Sequence, residues 1–545
     1  MKKKLRVTSF LMMGIFMLAA CGNGESSTGS DTAEVPQKMV ATATGELATL
    51  DSALYSDVTS SDAIGQIFEG LYRIDGKNNP ELGLAESEPD VSEDGKTYTF
   101  KLREAVWSNG DAVTAEDFVY AFQKVVNPEN GSPSSNQMDI FKNAAAIRNG
   151  EMDLEELGVK AIDEKTLELT LENPITYLSK LLTGTPFFPQ NKSFAVDQGQ
   201  QYGTHSDKVV ANGPFTISKW NGTNLNWTFT KNPEYWDAEN VKMEQIDVQV
   251  IKETSTGVNL FDSGDVQYTT LANEYAKQYQ DSPDYHDQLK FLYGYVSYNE
   301  KRETTGNVHL RRALSLAVDK EVFTNTVLND GSQPLNGIIP AGYASNPETD
   351  EDFRAENGDF LAYDVEAAQA EWETAKKELG QTEIQLELLT SDTEASKKTG
   401  EFLQAQFEQN LPGLSISLRN VPLKNRLNLT EQGEFDMAFS TWTPDYEDPI
   451  NFLEIYQSTG GLNTSGYVSE AYDQGINEVK STLAIDPLKR WEKMLELETL
   501  LIEQDAVITP IYQGAQAYLL APEVKDLLVL PLGRTVSYRL VSIEE

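Results

Sequence analysis

Asp94-Gly95-Lys96-Thr97-Tyr98-Thr99-Phe100-Lys101-Leu102-Arg103, followed by Trp107-Ser108-Asn109-Gly110-Asp111 and Thr114-Ala115-Glu116-Asp117-Phe118, holds a strand, a turn and a helix start in close succession. Tyr98, Phe100 and Leu102 alternate with Thr97, Thr99 and Lys101, the period of a half-buried strand. Asn109-Gly110-Asp111 is a turn sequence. Thr114 and Asp117 stand at capping-box spacing and predict a helix in which Phe118, Phe122 and Val125 form one apolar stripe, until Asn127-Pro128 stops it. Tyr120 falls about 200° around the helix from Phe118, so it faces another surface: solvent, a second domain or a ligand.

Outward from this segment the same alternation continues. Ile246 to Ile251 and Phe435 to Trp442 read as strands, and Leu310 to Lys320 and Val365 to Leu379 as helices. In the last, Val365, Ala368, Trp372, Ala375 and Leu379 make one face. Asn212-Gly213-Pro214 and Pro340-Ala341-Gly342 mark turns, and neither is long enough to be a free linker. The chain has no fixed-period repeat. It therefore reads as mixed α/β, with domains that share several chain crossings.

The 545 residues allow about three domains or one large multi-lobed unit. With 85 acidic against 44 basic residues the formal charge is −41. Such a surface repels phosphate backbones and anionic lipid, which excludes nucleic acid as a partner and a basic membrane-surface role.

At the N-terminus, Lys2, Lys3, Lys4 and Arg6 precede an apolar run from Phe10 to Ala20. That run is shorter than the ~20 residues of a membrane span and reads as a signal-peptide core. Leu18-Ala19-Ala20-Cys21-Gly22 resembles the lipobox of bacterial lipoproteins, where the cysteine is acylated and becomes the new N-terminus. The alternative is a plain signal peptide that leaves Cys21, the sole cysteine, as a free thiol. Two or three acyl chains would anchor the protein firmly. Asn23 to Thr32, rich in Gly, Ser and Thr, is a flexible tether. No later segment approaches 18 uninterrupted apolar residues, so the body is expected to face water.

Catalytic signatures are weak. His205, His286 and His309 are scattered, without the two-histidine helical spacing of zinc hydrolases. No Gly-x-Ser-x-Gly elbow occurs. Gly95-Lys96-Thr97 imitates the end of a phosphate loop, but the glycine needed five residues earlier is Asp90. Asp90-x-Ser92-x-Asp94-Gly95 imitates the start of a calcium loop, but position twelve, which should bring a glutamate, is Lys101. Among 85 carboxylates no pair can be singled out for acid/base work. Neither a metal nor another cofactor is expected.

The segments in order resemble the oligopeptide-binding proteins of bacterial ABC importers, the family 5 extracellular solute-binding proteins. Phe68-Glu69-Gly70-Leu71-Tyr72 and the Asp94 to Phe118 stretch look like the family signature. Asn212-Gly213-Pro214-Phe215, Asn232-Pro233-Glu234-Tyr235-Trp236-Asp237, Arg311-Arg312-Ala313-Leu314-Ser315-Leu316-Ala317-Val318-Asp319 and Trp442-Thr443-Pro444-Asp445-Tyr446-Glu447-Asp448-Pro449 have family counterparts in the same order. The resemblance covers roughly residues 38 to 540.

It implies a two-lobed periplasmic-binding-protein-like clamshell of three discontinuous domains. After the signal peptide (1–20) and the acylated cysteine with its tether (21–37), lobe I takes 38–75, 211–292 and 513–545. An additional domain II takes 76–210, and lobe III takes 293–512. The implied protein is not an enzyme: a lipid-anchored monomer captures an oligopeptide and delivers it to permease subunits served by separate ATPase chains. The family places an aspartate after a tryptophan to receive the peptide's α-ammonium, and the matching position is Asp445, flanked by Trp442 and Tyr446. Tyr120 matches a cleft-facing aromatic. Val58 lies in an early segment expected to line the cleft as an edge for backbone pairing, and Tyr512 near the last crossing between lobes. Some members carry a basic residue near the strand position held here by Phe439, able to meet the peptide's C-terminal carboxylate. Its absence leaves longer peptides, a signalling peptide or C-terminal capture elsewhere open. A hydrolase using a carboxylate pair, and a non-peptide ligand, are the alternative readings.

Overall fold

Thr97–Lys101 is a strand, with Leu102 continuing as a single bridge to Ala85. It lies in an antiparallel sheet ordered Asp90–Val91, Thr97–Lys101, Thr166–Thr170, Val159–Asp163. The calcium-loop look-alike is the hairpin turn before it. Ser92 Oγ donates to Asp94 Oδ1 (2.6 Å) and accepts from Thr97 N (2.9 Å), while Gly95 takes the left-handed φ of 68° that the turn needs. The helix is Ala115–Val126, opened by the expected box, in which Thr114 N donates to Asp117 Oδ2 at 2.9 Å. Its stripe buries Phe118 and Phe122, and Phe122 meets Phe141 and Phe187 at ring distances of 5.4 and 5.9 Å.

The computed structural model describes residues 35–272, 274–458 and 462–544. The expected signal segment 1–20, the expected acylation site Cys21 and the expected tether 23–32 lie outside the described residues. Met1–Pro36 forms one unit and Gln37–Glu545 another. Among the described residues no helix is long and apolar enough to cross a membrane.

A mixed sheet of eleven strands runs through the second unit. At one end Phe215–Ser218, Asn226–Lys231 and Gln245–Val250 pair antiparallel, and Lys38–Ala43 then lies parallel to Gln245–Val250 and to Tyr268–Thr270. At the other end Leu414–Val421, Ile384–Ser391 and Met437–Trp442 are mutually parallel. Two long antiparallel strands, Tyr285–Tyr298 and Ile508–Leu520, join the ends. Their register shifts between Leu289 and Tyr293, and again between Gly294 and Tyr295, so the ladder is interrupted midway along the crossing.

Apolar packing divides the unit at this crossing. One core runs from Met39 to Tyr268 and closes with Ala521 to Val541. Two others lie between Phe291 and Ile511. These are the two lobes of an α/β clamshell. Residues 76–210 have their own small sheet, yet Phe100, Phe118 and Phe122 belong to the same continuous core as Met39 and Ile246.

Val365–Leu379 is a helix over the expected span, with Ala368, Trp372 and Ala375 buried. The helix expected over 310–320 is shorter. It runs Val308–Leu316, capped by Asn307, and a second helix Lys320–Phe323 starts at the cap Asp319. Asp319 Oδ1 accepts from Val322 N (2.9 Å), so the cap competes with continuation of the first helix. Arg311 in that helix is tied to the carbonyls of Thr305, Gly306, Asp505 and Ala506. The strand expected from Phe435 begins at Met437, and that expected over 246–251 is Gln245–Val250.

Candidate functional site

Strand Met437–Trp442 ends where Thr443 and Pro444 turn the chain out of the sheet, and the loop that follows is held from several sides. Asp448 is buried and receives both Nη groups of Arg490 at 2.7 and 2.8 Å, a bidentate pair. The Tyr343 hydroxyl donates to the carbonyls of Tyr446 and Asp448. Asn451 Oδ1 accepts from Asp445 N (2.9 Å). Asp445 therefore sits on a rigid support although it lies on a loop.

This loop forms one wall of a cavity of about 520 Å³. Asp445, Trp442 and Tyr446 line it from the second lobe, and Asn136, Ile175 and Tyr177 from the first. Two of these groups lack partners. Among the described residues no donor reaches the Asp445 carboxylate, and burial together with the nearby charge of Glu454 raises its pKa. The Trp442 Nε1–H is buried without an acceptor among the described residues. An anion and an unused donor on one wall call for a ligand that carries a cation next to a hydrogen-bond acceptor.

The lobes touch beside the same loop. The ring of Tyr446 stacks on Tyr177, 4.8 Å between centroids and 7° between planes. Glu447 meets Lys180 Nζ and Asn78 Nδ2, each at 3.2 Å. Asp445 thus precedes two consecutive residues that reach the opposite lobe.

The other expected residues lie elsewhere. Tyr120 is half-buried near Asp51 and Tyr202, outside the cavity lining. Tyr512 pairs across the crossing strands and packs its ring against Phe323 at 5.7 Å. Val58, expected on an extended edge, instead opens the helix Val58–Ile67, whose first turn is capped by Asp57. A helical backbone presents no strand edge, so that expectation is corrected. Val58 lines a smaller cavity of about 100 Å³ shared with Asp62 and with Trp227, whose Nε1–H likewise has no partner among the described residues. Tyr177, Lys180 and Arg490 carry no signal that sequence reasoning could have used. The turn sequence Asn173-Pro174 before Tyr177 marks a loop, but no local pattern shows which loop it meets.

The family described as bacterial extracellular solute-binding proteins, family 5 Middle, matches residues 79–464. The chain is 34% identical over 541 residues to the dipeptide-binding protein of Lactococcus lactis subsp. cremoris (strain MG1363), covering 96% of each. Among solved structures it is similar to Listeria monocytogenes OppA bound to peptide, at 38% identity and a TM-score of 0.75, covering 94% of this chain and 99% of that one. The pheromone receptor PrgZ, solved to show its mode of peptide binding, is similar at 35% identity and a TM-score of 0.75, covering 94% of this chain and 100% of that one. With its two lobes, its crossing strands and the match over most of its length, the chain belongs to the bacterial family 5 extracellular solute-binding proteins.

Proposed function

We propose that this protein is the lipid-anchored solute-binding component of an ABC importer, capturing oligopeptides outside the cytoplasm for a membrane permease. The observation that carries this reading is the unpartnered pair on one cavity wall, the Asp445 carboxylate and the Trp442 Nε1–H. A peptide N-terminus has the matching chemistry, an ammonium next to its first carbonyl. In a partly dry cleft, removing one member of such an ion pair costs on the order of 2 to 5 kcal/mol. Tyr446 and Glu447 close on Tyr177 and Lys180 beside the bound end, so filling the cleft and bringing the lobes together are coupled. The peptide bound to the Listeria monocytogenes protein and the dipeptide-binding name of the Lactococcus lactis relative support the ligand class.

In this reading Cys21 is acylated and anchors a monomer, and separate ATPase subunits drive transport. Lobe I comprises 38–75, 211–292 and 513–545, domain II comprises 76–210 and lobe III comprises 293–512. The protein performs no covalent chemistry and returns its ligand intact. A single signalling peptide is the second reading, favoured by the likeness to a pheromone receptor.

Mass spectrometry of whatever is released on unfolding purified residues 22–545 tests the proposal. Intact peptides of mixed sequence are expected; one dominant peptide selects the signalling receptor. Release of no peptide, together with no binding of an added peptide mixture, overturns it. Cleaved products would point to the hydrolase instead.

A further inference from the structure

Strand Thr166–Thr170 runs on into Leu171, which is buried and forms a single antiparallel bridge with the buried Phe141. One residue further out, Glu172 N donates to the Ile140 carbonyl at 2.8 Å. The backbone at Ile140 and at the segment leading to Ile175 is therefore fixed to the core of the small-sheet region. Both isoleucines are nonetheless only half-buried, and both line the cavity of about 520 Å³ from the lobe opposite Asp445. Ile450 and Ile455 line it from the lobe of Asp445, on the helical turns Ile450–Leu453 and Glu454–Tyr456. Leu462, in the same lining, is 56% exposed. Aliphatic surface from both lobes thus faces one hollow.

The lobes meet again at this wall. A Cβ added to Gly95 would lie 3.2 Å from Pro174, a lining residue, and 3.7 Å from Cγ2 of Ile485, so the hairpin turn before Thr97–Lys101 reaches the second lobe beside Ala484, also in the lining. Most charges on these walls are already matched. Asp139 pairs with Arg148 (2.6 Å), Glu454 with Lys480 (2.7 Å) and Arg490 with Asp448 (2.7 Å). Besides Asp445, Glu172 is the one charged lining residue without an ion pair among the described residues, and it is exposed. Asn136 and Asn173 are exposed too, so water can serve their amides. The aliphatic surface has no such alternative: it gains only by being covered.

Resting on the peptide-binding reading above, we infer that the region 76–210 supplies the wall that holds the first side chain of the peptide, and that Ile140 and Ile175, facing Ile450 and Ile455, select a large apolar residue there. With its nitrogen at Asp445 and its carbonyl turned to the Trp442 Nε1–H, the first residue spends both backbone bonds of its Cα on one wall. Its side chain is left to the others, where the two isoleucines of the opposite lobe stand. A Leu or Phe side chain in this position touches both lobes at once, so the region 76–210 takes part in recognition as well as in the fold.

The test is calorimetric titration of purified residues 22–545 with oligoalanines of three to six residues whose first residue is Ala, Leu, Phe or Lys. At the lengths that bind, the wild type should take the Leu-first or Phe-first peptide about tenfold or more tightly than the Ala-first one, the gain expected for burying a large apolar side chain. Ile175→Ser should bring that ratio to within about threefold, and Ile140→Ser should lower it as well. Thermal melts establish that each variant folds, and either variant carries the test if the other does not. Equal affinities for all first residues, or tightest binding of the Lys-first peptide, which would pair with Glu172, overturn the inference while leaving peptide binding intact. An undiminished ratio in the folded variants likewise overturns it, because the selecting wall would then belong to one lobe. Absence of binding by every one of these peptides in the wild type sinks the peptide reading itself.

Discussion

Asp445 and Trp442 each present an unmet electrostatic requirement, and each gives an opposed pair of expectations. Replacing Asp445 by Asn removes the charge and keeps the shape, so peptide affinity should fall at least tenfold in calorimetry. Because burial and Glu454 raise the Asp445 pKa, acidification protonates this carboxyl earlier than an ordinary one. A cationic ligand prefers the ionised form, so affinity should decline as pH falls through that raised value, and Asp445→Asn should flatten this part of the profile. Trp442→Phe keeps the ring and deletes an unsatisfied donor. The empty protein should then be as stable as wild type or gain up to about 1 kcal/mol, whereas peptide binding should weaken several-fold. Loss of both stability and affinity would mark Trp442 as a packing residue. The motif around Asp445 makes it legible as a candidate, but the missing partners that distinguish it from an ordinary loop aspartate depend on residues folded around it.

At the scale of elements, the crossing strands and the helix break at Ala317 matter most. A Cβ added to Gly294 would run into the Tyr512 ring, at the point where the register shifts. Gly294→Ala should cost about 1 to 3 kcal/mol in urea unfolding through overpacking. If stability were unchanged, the strands would be free to separate there. Lys320, which opens the second helix, is buried with its ammonium donating to Leu335 O and Asn336 Oδ1, and burial lowers its pKa to about 7. Its folded value lies below its unfolded value of 10.5, so the folded state binds fewer protons between those limits. This residue's contribution to stability should rise with pH from about 7 to 10.5. Lys320→Met should therefore gain most relative to wild type at pH 7 and below, and the difference should shrink across that range; a pH-independent difference would refute the burial argument. The helix Val365–Leu379 is readable to the residue because its apolar period, its Asp364 cap and its Gly380 stop all agree. The helix Val308–Leu316 is shorter than its apolar pattern implies, because that pattern does not show when a capping aspartate, Asp319, takes the next turn.

At the scale of the molecule, contacts beside the cleft join Lys180 and Tyr177 of one lobe to Glu447 and Tyr446 of the other. Lys180→Met should weaken peptide affinity a few-fold, lessen its dependence on salt and leave the melting midpoint of the empty protein unchanged. Small-angle scattering should show less compaction on adding peptide; equal compaction would mean that the contact follows closure without favouring it. The α/β class, the family and the candidacy of Asp445, Trp442 and Tyr446 are all readable from the amino-acid order. The class rests on periodicity, capping and turn chemistry, which act over a few residues, while the family and the three candidates rest on the resemblance of ordered motifs to that family. Folding in three dimensions adds that Val58 opens a helix, that Tyr177 meets Tyr446 and that Asp448 is spent on Arg490. In each case a residue's role depends on the partner that folding brings to it, and contacts between distant segments leave no trace in local pattern.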